Sequence, residues 1–91
     1  MTNVNEEKLP IQDVKQAIKA YILEEFLPGE NPEELTDSTP LITGGILDSL
    51  ATIKLVAFLE QRFQIQIQAH ETMVDYLDTV SDIAQLVSSK K

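Results

Sequence analysis

Residues 45–67 read GILDSLATIKLVAFLEQRFQIQI, and the fold turns on them. From Ser49 to Phe58 the stretch SLATIKLVAF is apolar nearly all round, interrupted only by Ser49, Thr52 and Lys54. An apolar run of that length reads as a helix, about Ser49–Phe63, and one apolar on every side is usually central, contacted from more than one direction. Gly44 and Gly45 stand just ahead of it and permit a sharp turn with positive φ. Asp48 and Ser49 follow, both favoured residues for capping a helix start. Behind the helix, Gln64–Gln68 alternates glutamine and isoleucine, which by itself is a strand signal. Five residues bring no partner strand, so the expectation is an extended connector that tucks Ile65 and Ile67 inward.

Upstream, Pro10 suits a first helical turn. Ile11, Val14, Ile18, Tyr21, Ile22 and Phe26 recur at helical spacing, giving an amphipathic helix over 10–26 that Pro28 and Gly29 end. Residues 28–48 form a long first loop. A connection of about twenty residues in a small domain is usually functional or partly helical. Leu35, Leu41, Ile42, Ile46 and Leu47 are placed to pin it to the core, with a helical turn near Pro32–Leu35. Downstream, a short helix fits Glu71–Leu77, and Thr79-x-x-Asp82 resembles a capping box. A last helix follows over 80–89, with Val80, Ile83, Ala84, Leu86 and Val87 on its apolar face. Lys90 and Lys91 stand at its end, where the helix dipole favours cations. The predicted fold is all-α: a small four-helix bundle, three longer helices and one short, with a long first loop. Residues 1–9 are expected to be a flexible terminus and 10–89 one domain.

Composition removes several functions. The chain has 91 residues and buries only about 60–65% of its extended surface, too little for a deep active site. Its net charge of −8 disfavours nucleic acid and anionic membranes, and a basic protein surface is the natural complement. There is no cysteine, so disulfides, thiolate metal sites and a cysteine nucleophile are excluded. Apolar runs are only a few residues long and Met1–Lys8 is polar, which makes a cytoplasmic protein without membrane insertion the default reading.

Four features could carry chemistry. Ser49 is the first. Asp48 and Ser49 are fully explained in isolation as a helix cap. Yet a hydroxyl on a first helical turn points outward, and a phosphate there meets the positive end of the dipole. His70 is the sole histidine and no Ser–His–Asp set can be assembled, so Ser49 reads as an attachment point and not as a nucleophile. The acidic stretch is the second. No basic residue lies between Lys19 and Lys54, while Glu24, Glu25, Glu30, Glu33, Glu34, Asp37 and Asp48 do. It serves solubility and docking about equally well. Asp37–Asp48 has the length of an EF-hand loop but carries Ile42 where glycine is required, and Asp48 in place of the final glutamate. His70, the third, is expected exposed and binds no metal by itself. The fourth is the apolar surplus of the second helix, Ile53, Ala57 and Phe58. Core packing is the commoner fate of each, and Ile53 is expected partly exposed beside Lys54.

Taken together, a helix, a long loop, Asp48-Ser49-Leu50 opening an aliphatic helix, and Glu60-x-x-Phe63-x-Ile65-x-Ile67 resemble the acyl carrier protein superfamily over about residues 10–88. The resemblance implies that Ser49 receives 4′-phosphopantetheine from coenzyme A through a separate transferase. It implies that Asp48 and Leu50 complete the attachment motif and that Ile53, Lys54 and Ala57 meet partners. Acyl or aminoacyl groups would then travel as thioesters on the arm's thiol, on a monomeric protein that catalyses nothing itself. The implied partners are the phosphopantetheinyl transferase, an acyl- or aminoacyl-activating ligase and a downstream acyltransferase or synthase. Carriers of general fatty-acid synthesis usually have glycine two places before the motif's aspartate; here Ile46 stands there, and Ala51 and Lys54 occupy positions where acids are common. This chain is more similar to D-alanyl carriers and to stand-alone carriers of polyketide or peptide assembly. The expected function is therefore a carrier in a specialised pathway. The alternatives are a D-alanyl carrier, a fatty-acid carrier, and an unmodified scaffold that keeps the fold only to bind.

Overall fold

The computed structural model of the protein describes residues 10–90. The flexible terminus expected for residues 1–9 lies outside them, as does Lys91. Four α-helices follow in order: α1 (Ile11–Phe26), α2 (Ser49–Phe63), α3 (Val74–Leu77) and α4 (Val80–Lys90). Single 3₁₀ turns sit at Pro32–Glu34, where the sequence predicts one, and at Ala69–Thr72. The all-α bundle with three longer helices and one short is as expected, and no strand occurs among the described residues. No described helix is long and apolar enough to cross a membrane.

The Pro10 carbonyl starts α1 by accepting from the N–H groups of Asp13 and Val14. The helix buries Val14, Ile18 and Ile22, four residues apart, and packs against α4. From α4 come Val80, Ile83, Ala84, Leu86 and Val87, all buried as the spacing predicts. Each large aliphatic side chain so buried stabilises the fold by roughly 1.5–3 kcal/mol. Between α1 and α2, the Tyr21 and Phe58 rings stack with centroids 4.1 Å apart, and the Tyr21 hydroxyl donates to the Lys54 carbonyl at 3.2 Å. Phe58 is thereby half-buried, a packing residue after all.

Gln64 ends α2 in the left-handed conformation, φ 56° and ψ 53°. That turn drives Ile65 into the core. Glu60 Oε2 accepts from the Ile67 N–H at 2.9 Å, and Ile67 is half-buried, so both isoleucines tuck inward as the connector reading requires. The helix expected over Glu71–Leu77 is divided. Met73 is extended, ψ 166°, and separates the 3₁₀ turn from α3. In the turn before it, Glu71 Oε1 accepts from the Gln68 N–H at 2.8 Å and from Lys90 Nζ at 2.6 Å, which caps that turn separately from α3.

The long loop is anchored by Leu35, Leu41 and Leu47, all buried, with Ile42 and Ile46 half-buried. Asp37 joins it to α1 through Lys15 Nζ at 3.0 Å and Lys19 Nζ at 2.7 Å, two lysines one turn apart. One carboxylate of the acidic stretch is therefore structural.

Three carboxyls are held below their ordinary range. Hydrogen bonds from Lys19 and Lys15 do this at Asp37, the bond from Lys90 at Glu71, and the Thr43 backbone N–H at Asp78. Because the folded values lie below the ordinary ones, these groups stabilise the fold above the ordinary values, 3.8 for aspartate and 4.5 for glutamate, and stop doing so as pH falls below them. Relief of self-repulsion at net charge −8 acts in the opposite direction on acidification. A comparison isolates the carboxylates. The stability gap between wild type and the triple variant Asp37→Asn, Glu71→Gln, Asp78→Asn should be constant from pH 7 to about pH 5 and narrow as pH falls below the ordinary carboxyl values toward the lower folded ones. Urea titrations at each pH measure it, and a gap that does not narrow in acid would refute the assignment.

Candidate functional site

The site is built at the start of α2. Asp48 is the N-cap, with its Oδ1 accepting from the Ala51 N–H at 2.8 Å. Its carbonyl accepts from the Thr52 N–H at 2.9 Å and from Thr52 Oγ1 at 2.8 Å. Ser49 is therefore the first residue of the helix and is exposed. The cap reading of this dipeptide holds, since Asp48 supplies the cap, and Ser49 is left exposed beside it. The carboxylate of Asp48 takes up one of the unpaired donors and offsets part of the dipole. The helix start consequently fixes the backbone from which the Ser49 side chain projects more than it gives a strong anion site.

The corner before Asp48 needs its glycines for two different reasons. Gly45 has φ +86°, as the turn reading expects. Gly44 does not take positive φ. A Cβ there would run into the backbone carbonyl of Pro40, so the chain can pass only if that residue has no side chain.

α2 buries one stripe, Ala51, Leu55, Leu59 and Phe63. The face opposite that stripe is open. Leu50 is 63% exposed and Ile53 64%, more than the partial exposure expected, and Lys54 and Ala57 are exposed with them. Thus Ser49, Leu50, Ile53, Lys54 and Ala57 share one accessible face. Ala51 does not belong to it: it is buried, 8% exposed, and cannot present a charge to a partner.

An open groove of about 780 Å³ runs beside Ser49 between the loop, α2 and α3. Ile42 and Leu47 form one wall, Val56 the side of α2, and Met73 and Val74 the far wall. The lining is chiefly apolar, and Met73 is 59% exposed at the rim. The sequence reading missed this far wall, because it placed Met73 inside a continuous helix.

It also missed Asp78. Asp78 Oδ1 accepts from the N–H groups of Ile42 at 2.8 Å and Thr43 at 2.9 Å, and Oδ2 from Thr43 Oγ1 at 2.9 Å. The Asp78 carbonyl accepts from the Leu41 N–H, and Leu41 in turn accepts from the Leu47 N–H at 2.8 Å. An aspartate directly before a capping threonine was the available signal; Thr79 Oγ1 does accept from the Asp82 N–H at 3.0 Å. His70 is exposed, its ring edge-on to Tyr76 at 6.2 Å.

Residues 17–87 match the family described as the phosphopantetheine attachment site. D-alanyl carrier proteins from two strains of Streptococcus suis, 98HAH33 and 05ZYH33, are each 39% identical to this chain over 59 residues, 65% of this chain and 71% of theirs. The cofactor of this family is 4′-phosphopantetheine, covalently attached. The structure fits such a group, since an exposed hydroxyl at a helix start borders an open apolar groove. With the match running from the middle of α1 to the last turns of α4, the chain belongs to the acyl carrier protein superfamily.

Proposed function

We propose that the protein is a non-catalytic carrier that bears 4′-phosphopantetheine on Ser49 and moves acyl or aminoacyl groups between the enzymes of a specialised pathway. The observation that carries this reading is the exposed Ser49, placed on the first turn of the Asp48-capped α2 at the rim of the groove. When bound, the group supplies a thiol that holds the cargo as a thioester. The chain's own residues do the rest. Asp48 fixes the helix start. Leu50, Ile53, Lys54 and Ala57 offer partners an apolar face with one positive charge. Tethering supplies the mechanism, because it raises the effective concentration of the cargo at each partner. Those partners are a phosphopantetheinyl transferase, an activating ligase and a downstream acyltransferase or synthase.

A D-alanyl cargo is the second reading, favoured by the two D-alanyl carrier relatives. One experiment tests both. Apo protein is incubated with coenzyme A and a broad-specificity transferase, then weighed intact and fragmented. The arm should appear once, on the peptide holding Ser49. The modified protein is then offered D-alanine with a D-alanyl ligase, and a panel of acids with their ligases. An arm on another serine, or none where a control carrier is modified, would end the first reading; no D-alanyl adduct would end the second.

Lys54 bears on partner choice. An enzyme that reads an acidic helix presents basic side chains, and Lys54 opposes them. Lys54→Glu should raise kcat/KM with a general fatty-acid loading enzyme by roughly threefold to tenfold at low salt, through faster association, with the gain fading as salt rises. Ala51→Glu is not a useful companion, since that side chain would enter the core. No change in rate at either salt concentration would show that Lys54 is only solvated.

A further inference from the structure

We infer that Asp78 is a positioning residue for modification of Ser49, because its carboxylate holds the two walls of the groove in register. The inference rests on the reading of Ser49 as the attachment point. Asp78 lies one turn beyond Val74, and its own N–H donates to the Val74 carbonyl at 3.2 Å. It therefore moves with the far wall. Its side chain binds Ile42, which belongs to the near wall, and the adjoining Thr43, and the two lead through the glycine corner to Asp48. Two backbone N–H groups and one hydroxyl converge on one carboxylate over a separation of 35 or 36 residues. Charge-assisted bonds of this kind are the stronger ones. The Leu41 N–H bond to the Asp78 carbonyl survives loss of the side chain, but it ties the loop at Leu41 and leaves the Ile42 and Thr43 N–H groups without that partner. Gly45 lacks a side chain to pack, and its N–H bond to the Ile42 carbonyl at 3.1 Å is local.

Ser49 itself stays on α2 through the Asp48 cap, which Asp78 does not touch. Loss of Asp78 should therefore spare the chemical step and weaken recognition of the surface around it. Asp78→Ala, Asp78→Asn and Thr43→Val, each as the full apo chain, would be assayed with coenzyme A and a phosphopantetheinyl transferase, well below their melting temperatures. Asp78→Ala should raise KM for the carrier roughly fivefold to tenfold, the loss expected for about one strong hydrogen-bonded contact. The effect should fall on KM and not on kcat. Asp78→Asn keeps an acceptor oxygen for the two N–H groups and should recover most of the affinity. Thr43→Val removes one bond of three and should raise KM about twofold.

Amide hydrogen exchange supplies a readout independent of modification. The Ile42 and Thr43 amides should lose protection in Asp78→Ala and keep it in Asp78→Asn. If those amides are freed and KM does not move, Asp78 is structural only and the inference is overturned. If KM rises equally in the alanine and asparagine variants, the hydrogen bonds are not the cause and it is overturned as well. If wild type is modified elsewhere or not at all, the reading of Ser49 falls and takes this inference with it. Should Asp78→Ala fail to fold, Thr43→Val and Asp78→Asn still decide, since the inference requires the first to raise KM more than the second.

Discussion

Ser49→Ala protein, mixed with coenzyme A and a transferase that modifies the wild type, should keep the mass of the apo chain. The fold should not notice the change. Ser49 is exposed on the first turn of α2, alanine is the best helix former, and the Asp48 carboxylate still caps through the Ala51 N–H. Stability should shift by no more than about 0.5 kcal/mol, as for surface substitutions generally. Exposure alone does not single Ser49 out, because Ser38, Ser88 and Ser89 are also exposed. What distinguishes it is its place at a helix start beside a groove. An intact mass that still rises by one phosphopantetheine in the variant would show that another hydroxyl carries the arm.

Leu41→Ala should have the largest effect on stability. Leu41 lies in the loop, yet it is fully buried, and both of its backbone polar groups are engaged, the N–H with Asp78 and the carbonyl with Leu47. Removing a buried leucine side chain costs about 2–5 kcal/mol in transfer and cavity terms. A domain of this size has about 5–14 kcal/mol in all. The melting temperature should fall by about 10 °C or more. Leu50→Ala is the control, since Leu50 is 63% exposed and its loss should cost at most about 0.5 kcal/mol. Calorimetry of both variants tests the pair. Equal shifts would mean that the loop does not share the core.

The contrast between these two leucines shows which parts of the fold could be read in advance. Periodicity placed α1, α2 and α4 because each buries residues at helical steps, and burial of an amphipathic stripe is what makes such helices stable. The loop leucines were legible as anchors because apolar side chains between turn residues have few other uses. Elements fixed by single polar contacts were not legible. The turn before the extended Met73 is capped by Glu71, which bonds Gln68 and Lys90, the latter 19 residues away. Gln64 takes a left-handed conformation that glutamine does not advertise. Asp78 reaches Ile42 across 36 residues. Ser49, Leu50, Ile53, Lys54 and Ala57 could be named from the motif and its helix. That Ala51 is buried while Lys54 is exposed was not legible, because apolar residues on every side of α2 hide the buried stripe, and the groove needed α3 in place.

The open face of α2 has a colloidal side. Leu50 and Ile53 together would be adhesive if two copies met through them. Each copy carries a net charge of −8, so such an encounter brings like charges together before the apolar side chains touch. At physiological ionic strength that repulsion reaches only about 8 Å, roughly the width of a side-chain layer. It therefore keeps copies apart at crowding distances without masking the face from a partner of opposite charge. The glutamates of the acidic stretch then act as a spacer that lets a sticky surface stay exposed.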